Sequence, residues 1–216
     1  KIIDSRVKSA NLLFHSLQKT SYHIPFFISA SAVGIYPDSL EKLYYEDNES
    51  VDDSFLGEVV VRWEAAADQF KNADIKVAKV RTGMVLAKEG GALPKLKDPA
   101  AFNIGAPLGS GKQWQSWIHI DDLVHIYLHI LEQKLDGVYN AVAPNPVTNK
   151  ELTLEIAERL GKSVWLPNVP SVALQLVLGD MSQVVLSSQL VSSDKIEQSG
   201  YSFIFKNIQK ALADLL

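Results

Sequence analysis

The sequence contains no cysteine, and its 216 residues carry a net charge of −4. The absence of cysteine excludes disulfide bonds, thiol catalysis and thiolate metal sites. No basic field is available to attract a polyanion, so neither nucleic acid nor a membrane surface is an expected partner. No apolar run approaches the ~20 residues that span a bilayer, and the first residues resemble neither a signal peptide nor a transit peptide.

Also missing is a glycine-rich turn between a strand and a helix, which is the usual cradle for a dinucleotide pyrophosphate. The chain begins without methionine, at residues that resemble the middle of an amphipathic helix. We therefore expect it to be the later part of a nucleotide-binding protein, with further residues preceding it in the natural protein. Without that turn, the chain is expected to bind a dinucleotide poorly.

The sequence has the composition of a globular protein, since 47% of its residues are hydrophobic and 21% are charged. Apolar spacing predicts a first helix from Ile3 to Leu17, and Asp52 or Asp53 is predicted to cap a second helix. The predicted strands that alternate with helices cover residues 24–29, 75–80, 117–120 and 138–142.

This alternation predicts an α/β fold, a Rossmann-like doubly wound parallel sheet with helices on both faces. Residues 1–144 are predicted to form it. Residues 145–216 are predicted to form a small, mostly helical domain, with a capping box from Thr148 to Glu151 at its start.

The segment from Phe26 to Tyr36 is the most informative part of the chain. An apolar run ends in the small residues Ser29, Ala30 and Ser31, as a buried parallel strand does where its carboxyl end opens onto a ligand crevice. Residues 81–86 end a second predicted strand with a glycine at position 83. We predict that these two segments are neighbouring borders of one crevice.

Several motifs occur in an order that resembles a known family. They are Asp4–Ser9, Ser29–Gly34, Trp63–Ala67, Arg81–Leu86, Gly109–Gln113, Ser116–Asp122 and Tyr139–Pro144. Taken together they resemble an atypical extended short-chain dehydrogenase/reductase, of the branch called NAD-dependent epimerase/dehydratase or nucleoside-diphosphate-sugar epimerase. In that branch, a small C-terminal domain of unknown function closes the chain.

The resemblance implies an NADP or NAD cofactor and a small-molecule substrate, such as a sugar nucleotide, held between the sheet and the C-terminal domain. It places a group of residues at the cofactor: Arg6, Ser29, Ala30, Ser31, Val60, Gly83, Met84 and Val85. It gives Ser31 the catalytic position, bonding the reacting oxygen. Trp117 and His119 flank Ile118 on a short predicted strand, so their side chains share one face and are predicted to face the substrate. A cytoplasmic protein is expected, and a homodimer is left open.

One departure from the superfamily concerns its chemistry. The superfamily uses a Tyr-x-x-x-Lys pair, whose phenolate takes a proton during hydride transfer. Alignment on Glu64 puts Leu56 and Val60 at those two positions, and neither side chain moves a proton. An NAD(P)-dependent epimerase or oxidoreductase is therefore the first hypothesis, and a non-catalytic NADP(H)-binding sensor or interaction scaffold is the alternative.

Simpler interpretations of these residues remain open. On these interpretations, the two serines only satisfy backbone groups at a strand exit. Arg6 is then a solvated charge on a helix, and Gly83 is needed only for a tight turn. On the same basis, Trp117 and His119 are interpreted as core residues, and the Asp121–Asp122 pair as a helix cap. The loop at 109–113 lacks Walker spacing, and the five histidines show no metal signature.

Overall fold

The computed structural model describes residues 2–21, 23–179 and 182–216. Its helices are α1 (Ile2–Gln18), α2 (Phe55–Asp68), α3 (Leu93–Ala101), α4 (Ile120–Gln133), α5 (Asn149–Arg159), α6 (Ser171–Leu178), α7 (Ser182–Leu186), α8 (Asp194–Gln198) and α9 (Ile208–Leu215). Its strands are β1 (Phe26–Ala32), β2 (Leu43–Tyr44), β3 (Lys76–Thr82), β4 (Met84–Leu86), β5 (Trp114–Gln115), β6 (Trp117–His119), β7 (Gly137–Ala141), β8 (Val147–Thr148) and β9 (Leu190–Val191). None of the described helices is long and apolar enough to cross a bilayer.

The central sheet is parallel, with the strand order β1-β3-β7. Alternation along β1 sends its side chains to two different helical layers. Phe27 stacks on Phe70 after α2, with ring centroids 4.0 Å apart, in the cluster that also contains Phe14 of α1. Ile28 packs on the opposite side, in the cluster that contains Ile126 of α4. Helices therefore cover both faces, and the predicted fold class is confirmed.

The later residues extend this architecture through short strand pairs. Strand β4 pairs with β6, β2 pairs with β9, and β5 pairs with β8 in the antiparallel sense. One apolar cluster joins Leu86 and Trp117 to Leu152 of α5 and Ile208 of α9. The predicted division at residue 144 stays a prediction, although this cluster contains residues from both sides of it.

The outer edge of β7 is occupied by two charged side chains. The Glu46 carboxylate accepts a hydrogen bond from the backbone N–H of Asn140 at 2.8 Å. The Lys195 ammonium donates to the carbonyl of Val138 at 2.7 Å. Two backbone groups of this edge are therefore satisfied by side chains rather than by another strand.

Two helix caps differ from the sequence prediction. The hydroxyl of Ser54, not Asp52 or Asp53, accepts from the N–H of Gly57 at the start of α2. The imidazole of His119, not Asp121, caps α4 by accepting from the Asp121 N–H at 3.1 Å. Several polar residues in each segment are competent to cap, and helix entry geometry decides between them. The capping box at Thr148 is confirmed.

Candidate functional site

The carboxyl ends of the three central strands lie side by side. Ala32 at the end of β1 is opposite Thr82 of β3, which is opposite Ala141 of β7. Gly83 follows directly and donates its N–H to the Ala141 carbonyl at 3.1 Å. The serine segment and the glycine segment therefore meet at one edge of the sheet, where open α/β sheets bind their ligands.

The structure places both serine hydroxyls in local hydrogen bonds. Ser31 is buried, and its hydroxyl donates to the Glu64 carboxylate of α2 at 2.6 Å. Ser29 is also buried and donates to the carbonyl of Ala30 at 3.0 Å. Ala30, which points to the other face of the strand, is exposed. The Ser31 hydroxyl is thus held by the protein, and its assigned role toward a substrate oxygen stays a prediction.

A buried polar network lies directly beneath the strand ends. The guanidinium of Arg81 binds the Glu64 carboxylate through two hydrogen bonds of 2.8 and 3.0 Å. It also donates to the Tyr36 hydroxyl at 2.9 Å, and that hydroxyl donates to the Asn140 side chain at 2.7 Å. Ser31, Arg81 and Asn140 are in register across the three strands. The network therefore fixes the relative position of all three strand ends.

The charges of this network are set by burial and by pairing. Burial alone raises the pKa of the Glu64 carboxyl, but the hydrogen bonds and charge of Arg81, with help from Ser31 and Lys79, outweigh it and lower that pKa. Burial raises the pKa of the Tyr36 phenol despite the nearby Arg81. Glu64 is therefore ionised and Tyr36 is protonated, so Tyr36 is a hydrogen-bond donor rather than a base.

Acidification from about pH 7 to about pH 3 is expected to destabilise the protein. Burial raises the pKa of the Asp68 carboxyl, but bonds from Lys71 and Lys79 outweigh it, so this pKa is lowered, like that of Glu64. A lowered folded pKa stabilises the native state above the ordinary carboxyl range, and that contribution is lost as the pH falls through the folded value. Urea unfolding across this pH series measures the loss.

Glu46 provides the control, because its shift has the opposite sign. Burial raises the pKa of its carboxyl, so its contribution to stability grows as the pH falls through the raised value. In the original protein, the gain from Glu46 partly offsets the stability that Glu64 and Asp68 lose as the pH falls. Glu46→Gln removes this gain, so the stability of the variant is expected to fall more steeply with decreasing pH just above the ordinary carboxyl pKa. A stability–pH profile of Glu46→Gln that is shallower than that of the original protein would contradict the raised pKa of Glu46.

Gly83 allows two chain segments to approach closely at the site. A Cβ atom placed on it would lie 2.1 Å from the Ser116 carbonyl oxygen and 2.8 Å from a Val142 methyl. By contrast, a Cβ atom on Gly34, just past β1, would meet nothing within 4 Å. Gly83 is required by packing, and the space beside the end of β1 is open.

Gly83→Ala is expected to lower the free energy of unfolding by about 1–3 kcal/mol, because the added methyl must displace backbone. Gly34→Ala is the matched control, with an expected change near zero since its methyl enters open space. Chemical denaturation of both variants makes the comparison. Equal stabilities would show that the segment carrying Ser116 moves freely.

The remaining predicted cofactor residues lie in different surroundings. The Arg6 guanidinium stacks on the Trp63 ring, 4.9 Å from its centroid, where α1 meets α2. Val60 is 4% exposed and packs with Tyr36, Val142 and other apolar residues. Met84 and Val85 form β4 directly after Gly83. Of the predicted set, the serine strand and residues 83–85 are brought together at the strand ends, and contact of any of them with a cofactor stays a prediction.

The two predicted substrate residues are inside the protein. Trp117 is fully buried, and its indole N–H donates to the Asn145 carbonyl at 3.0 Å. His119 is 1% exposed and stacks on Phe205, with ring centroids 3.8 Å apart. The structure thus places both among core residues, and their role toward a substrate stays a prediction. The loop at 109–113 is held by a side-chain hydrogen bond, because the Gln113 amide donates to the Leu108 carbonyl at 3.0 Å.

Sequence reasoning missed the polar network as a unit. A signal for it was present, because Lys79 and Arg81 are two charges at positions that alternate with the apolar residues Ala78 and Val80. Alternate residues share one face of a strand, so two buried cations need a buried acid on the covering helix. Glu64 is that acid, and its carboxylate lies 3.4 Å from the Lys79 ammonium.

Comparisons with known proteins agree with this architecture. Residues 169–215 match the family model described as a domain of unknown function, DUF1731. An epimerase family protein of Staphylococcus saprophyticus is 39% identical over 219 residues, which cover 100% of this chain and 72% of that protein.

Two solved structures are also similar. A human epimerase family protein, solved with NADPH, is 32% identical with a TM-score of 0.91, over 99% of this chain and 72% of that one. A nucleoside-diphosphate sugar epimerase from Corynebacterium glutamicum is 34% identical with a TM-score of 0.79, over 98% of this chain and 41% of that one. The chain therefore belongs to the epimerase family of atypical extended short-chain dehydrogenases/reductases.

Proposed function

We propose that the protein is an NAD(P)-dependent epimerase or oxidoreductase that acts on a sugar nucleotide or another small carbonyl or hydroxyl compound. The observation that carries the proposal is the meeting of the β1 and β3 ends, with open space beside Gly34. Two further facts support it. The human relative was solved with NADPH, and the relative from Corynebacterium glutamicum is named for sugar nucleotide chemistry.

The residues present fit a nicotinamide ring at this edge. Ala32, Val33 and Gly34 are half-buried residues at the exit of β1, and a Cβ atom on Gly34 would meet nothing within 4 Å. Backbone groups of residues 82–84 lie alongside. A nicotinamide bound at this edge would supply hydride transfer. The protein's own contribution is positional, because the Glu64–Arg81 pair holds the strand ends in one arrangement without moving a proton.

One observation favours a second candidate function. Val60 lies in an apolar cluster, so the described part of the chain offers no ammonium group where the superfamily has its lysine. Tyr36 does not replace the missing tyrosine, because it is fully buried and its hydroxyl is already bonded. A non-catalytic NADP(H)-binding sensor or interaction scaffold is consistent with such a site.

Binding and turnover measurements separate the two functions. Calorimetric titration with NADPH and with NADH tests cofactor binding and identifies the preferred cofactor. Cofactor oxidation and epimer formation are then followed across a panel of sugar nucleotides and simple carbonyl compounds. Turnover of any panel member supports the enzyme, whereas tight binding without turnover supports the sensor. Because the glycine-rich turn is missing from this chain, the titrations use the full-length protein, and its failure to bind either nucleotide contradicts both functions.

The assembly and the substrate-contacting residues stay predictions. Sedimentation analysis tests the homodimer. Alanine variants of Trp117 and His119 do not test substrate contact cleanly, because both side chains are core residues whose removal lowers stability.

A further inference from the structure

The segment between β1 and α2 carries a strong excess of negative charge. Residues 38–53, the acidic segment, contain the single ammonium group of Lys42 and the carboxyl groups of Asp38, Glu41, Glu46, Asp47, Glu49, Asp52 and Asp53. In the described part of the chain, none of these carboxylates forms an ion pair with a lysine, arginine or histidine. Charges of one sign at the border of a crevice add up to a field that repels ions of that sign. The acidic segment therefore disfavours an anionic ligand beside it.

The acidic segment borders the site described above. Near its end, the Asp52 N–H donates to the carbonyl of Ile35 at 2.8 Å, one residue past Gly34 and the open space at the end of β1. Near its start, the Ser39 N–H donates to the carbonyl of Ser188 at 2.9 Å. The segment thus lies between the end of the serine strand and the C-terminal residues, where the substrate is predicted to be held.

The cations of the central sheet are already paired within the protein. Proteins bind phosphate groups through guanidinium and ammonium groups and through backbone N–H groups. Arg81 is buried, and its guanidinium is bonded to Glu64 and Tyr36. Lys79 is also buried, and its ammonium lies 2.9 Å from the Asp68 carboxylate. A diphosphate at the strand ends would have to break these pairs to reach either cation.

The glycine loop at 109–113 also offers little to a diphosphate. The N–H of Gly109 donates to the Val169 carbonyl at 2.8 Å, and the N–H of Gly111 donates to the Leu108 carbonyl at 2.9 Å. Both N–H groups that the glycines would present to a phosphate are therefore used to fold the loop itself. The loop is a tight turn and not an anion cradle.

Apolar side chains are exposed along the same border. Leu40 and Val51 of the acidic segment and Phe55, the first residue of α2, are each about half exposed. Exposed apolar surface next to a crevice is stabilised when an apolar ligand covers it and releases its water. This border therefore favours a ligand with an apolar body, in addition to disfavouring one with negative charge.

We propose that the substrate is an uncharged carbonyl or hydroxyl compound with an apolar body, rather than a nucleoside diphosphate sugar. This proposal rests on the proposed function, because it chooses the substrate class for the same site. The acidic segment acts against the phosphate charges of a nucleoside diphosphate, and the paired cations leave them uncompensated. The exposed apolar side chains bind the body of the uncharged compound.

A matched pair of ketones tests the effect of charge. Full-length protein loaded with NADPH is titrated calorimetrically with methyl 4-acetylbenzoate and with 4-acetylbenzoate, which share one body and differ by one negative charge. The neutral ester is expected to bind about tenfold more tightly, a difference of about 1.4 kcal/mol. Added salt should reduce this ratio, because it screens the repulsion. UDP-glucose is expected to bind more weakly than the ester.

Charge reversal locates the repulsion. Glu49→Lys combined with Asp53→Lys is expected to bring the ester-to-carboxylate affinity ratio close to one, because both side chains are exposed in the acidic segment. The matched control is Glu132→Lys combined with Glu158→Lys, two exposed acids on α4 and α5. This control makes the same change in net charge, and the affinity ratio is expected to stay as in the original protein.

Truncation of an exposed apolar side chain tests the second part of the proposal. Phe55→Ala is expected to weaken binding of the ester about tenfold. Leu12→Ala, which truncates an exposed side chain on α1, is the control and should leave ester affinity unchanged. Thermal unfolding verifies that both variants are folded.

The outcomes distinguish this proposal from the one beneath it. Equal affinity for ester and carboxylate, no binding of either, or UDP-glucose binding at least as tight as that of the ester would overturn the substrate class. Retained NADPH binding would then leave the proposed function standing. Failure of the full-length protein to bind NADPH or NADH would instead contradict the proposed function.

Discussion

Glu64→Ala is expected to lower the free energy of unfolding by about 3–5 kcal/mol, the effect of removing one partner from a buried ion pair. The carboxylate is 6% exposed and holds Arg81 through two hydrogen bonds and Ser31 through a third. Without it, the Arg81 guanidinium stays buried with its charge uncompensated. The loss also releases the strand ends, so we expect nucleotide binding to weaken with stability.

Urea unfolding of Glu64→Ala measures the effect, with Arg62→Ala as the control. Arg62 forms an ion pair of 2.6 Å with Glu58 on the same helix, but both side chains are about half exposed. Such a surface pair contributes at most about 1 kcal/mol. A double variant, Glu64→Met with Arg81→Met, should recover part of the loss because no unpaired charge remains. Equal effects of the Glu64 and Arg62 variants would show that the network is dispensable.

Asp122→Ala is expected to destabilise the protein by about 2–5 kcal/mol, because several buried donors lose one shared acceptor. The carboxylate is fully buried at the start of α4. It accepts from the Tyr201 hydroxyl at 2.7 Å and from the N–H groups of Ile204 and Phe205 at 2.9 Å each. Burial, together with the hydrogen bond to Asp122 and the charge of Asp122, raises the pKa of the Tyr201 phenol, so this phenol remains a hydrogen-bond donor.

Thermal and urea unfolding of Asp122→Ala test this prediction against Asp121→Ala. Asp121 is the adjacent acid on the same helix turn, but its side chain is 59% exposed. Its removal should change stability by a few tenths of a kcal/mol through the helix dipole alone. If both variants lost equally little, the segment at 201–205 would be held by its apolar contacts rather than by the carboxylate.

The elements with local signals were predictable from the sequence. Helix α1 follows its apolar spacing within one residue at each end, and the Thr148 capping box lies where the pattern put it. Strand β1 ends three residues later than predicted, at Ala32, because small polar residues continue the sheet ladder as well as apolar ones do. Helix α3 was not predicted from the sequence, because its apolar stripe is short.

The site was predictable only in part. That β1 and β3 end at one edge follows from the alternation of strands and helices. The partner of the Ser31 hydroxyl does not, because Glu64 is 33 residues away and no local pattern links the two. His119 and Trp117 resembled cleft residues by sequence, but the C-terminal residues cover them: Phe205 stacks on the imidazole. Such coverage depends on tertiary packing across about 90 residues, which periodicity does not encode.

The charged side chains bonded to β7 make the two outer edges of the central sheet different in their capacity to pair with another strand. With Glu46 and Lys195 bonded to two of its backbone groups, the β7 border is hindered from pairing with another strand, as charged edges are in general. In the described chain, β1 has a neighbour on one side only. Among the described residues, the border of Phe26–Ala32 that faces away from β3 is therefore the one at which strand addition would lengthen the sheet.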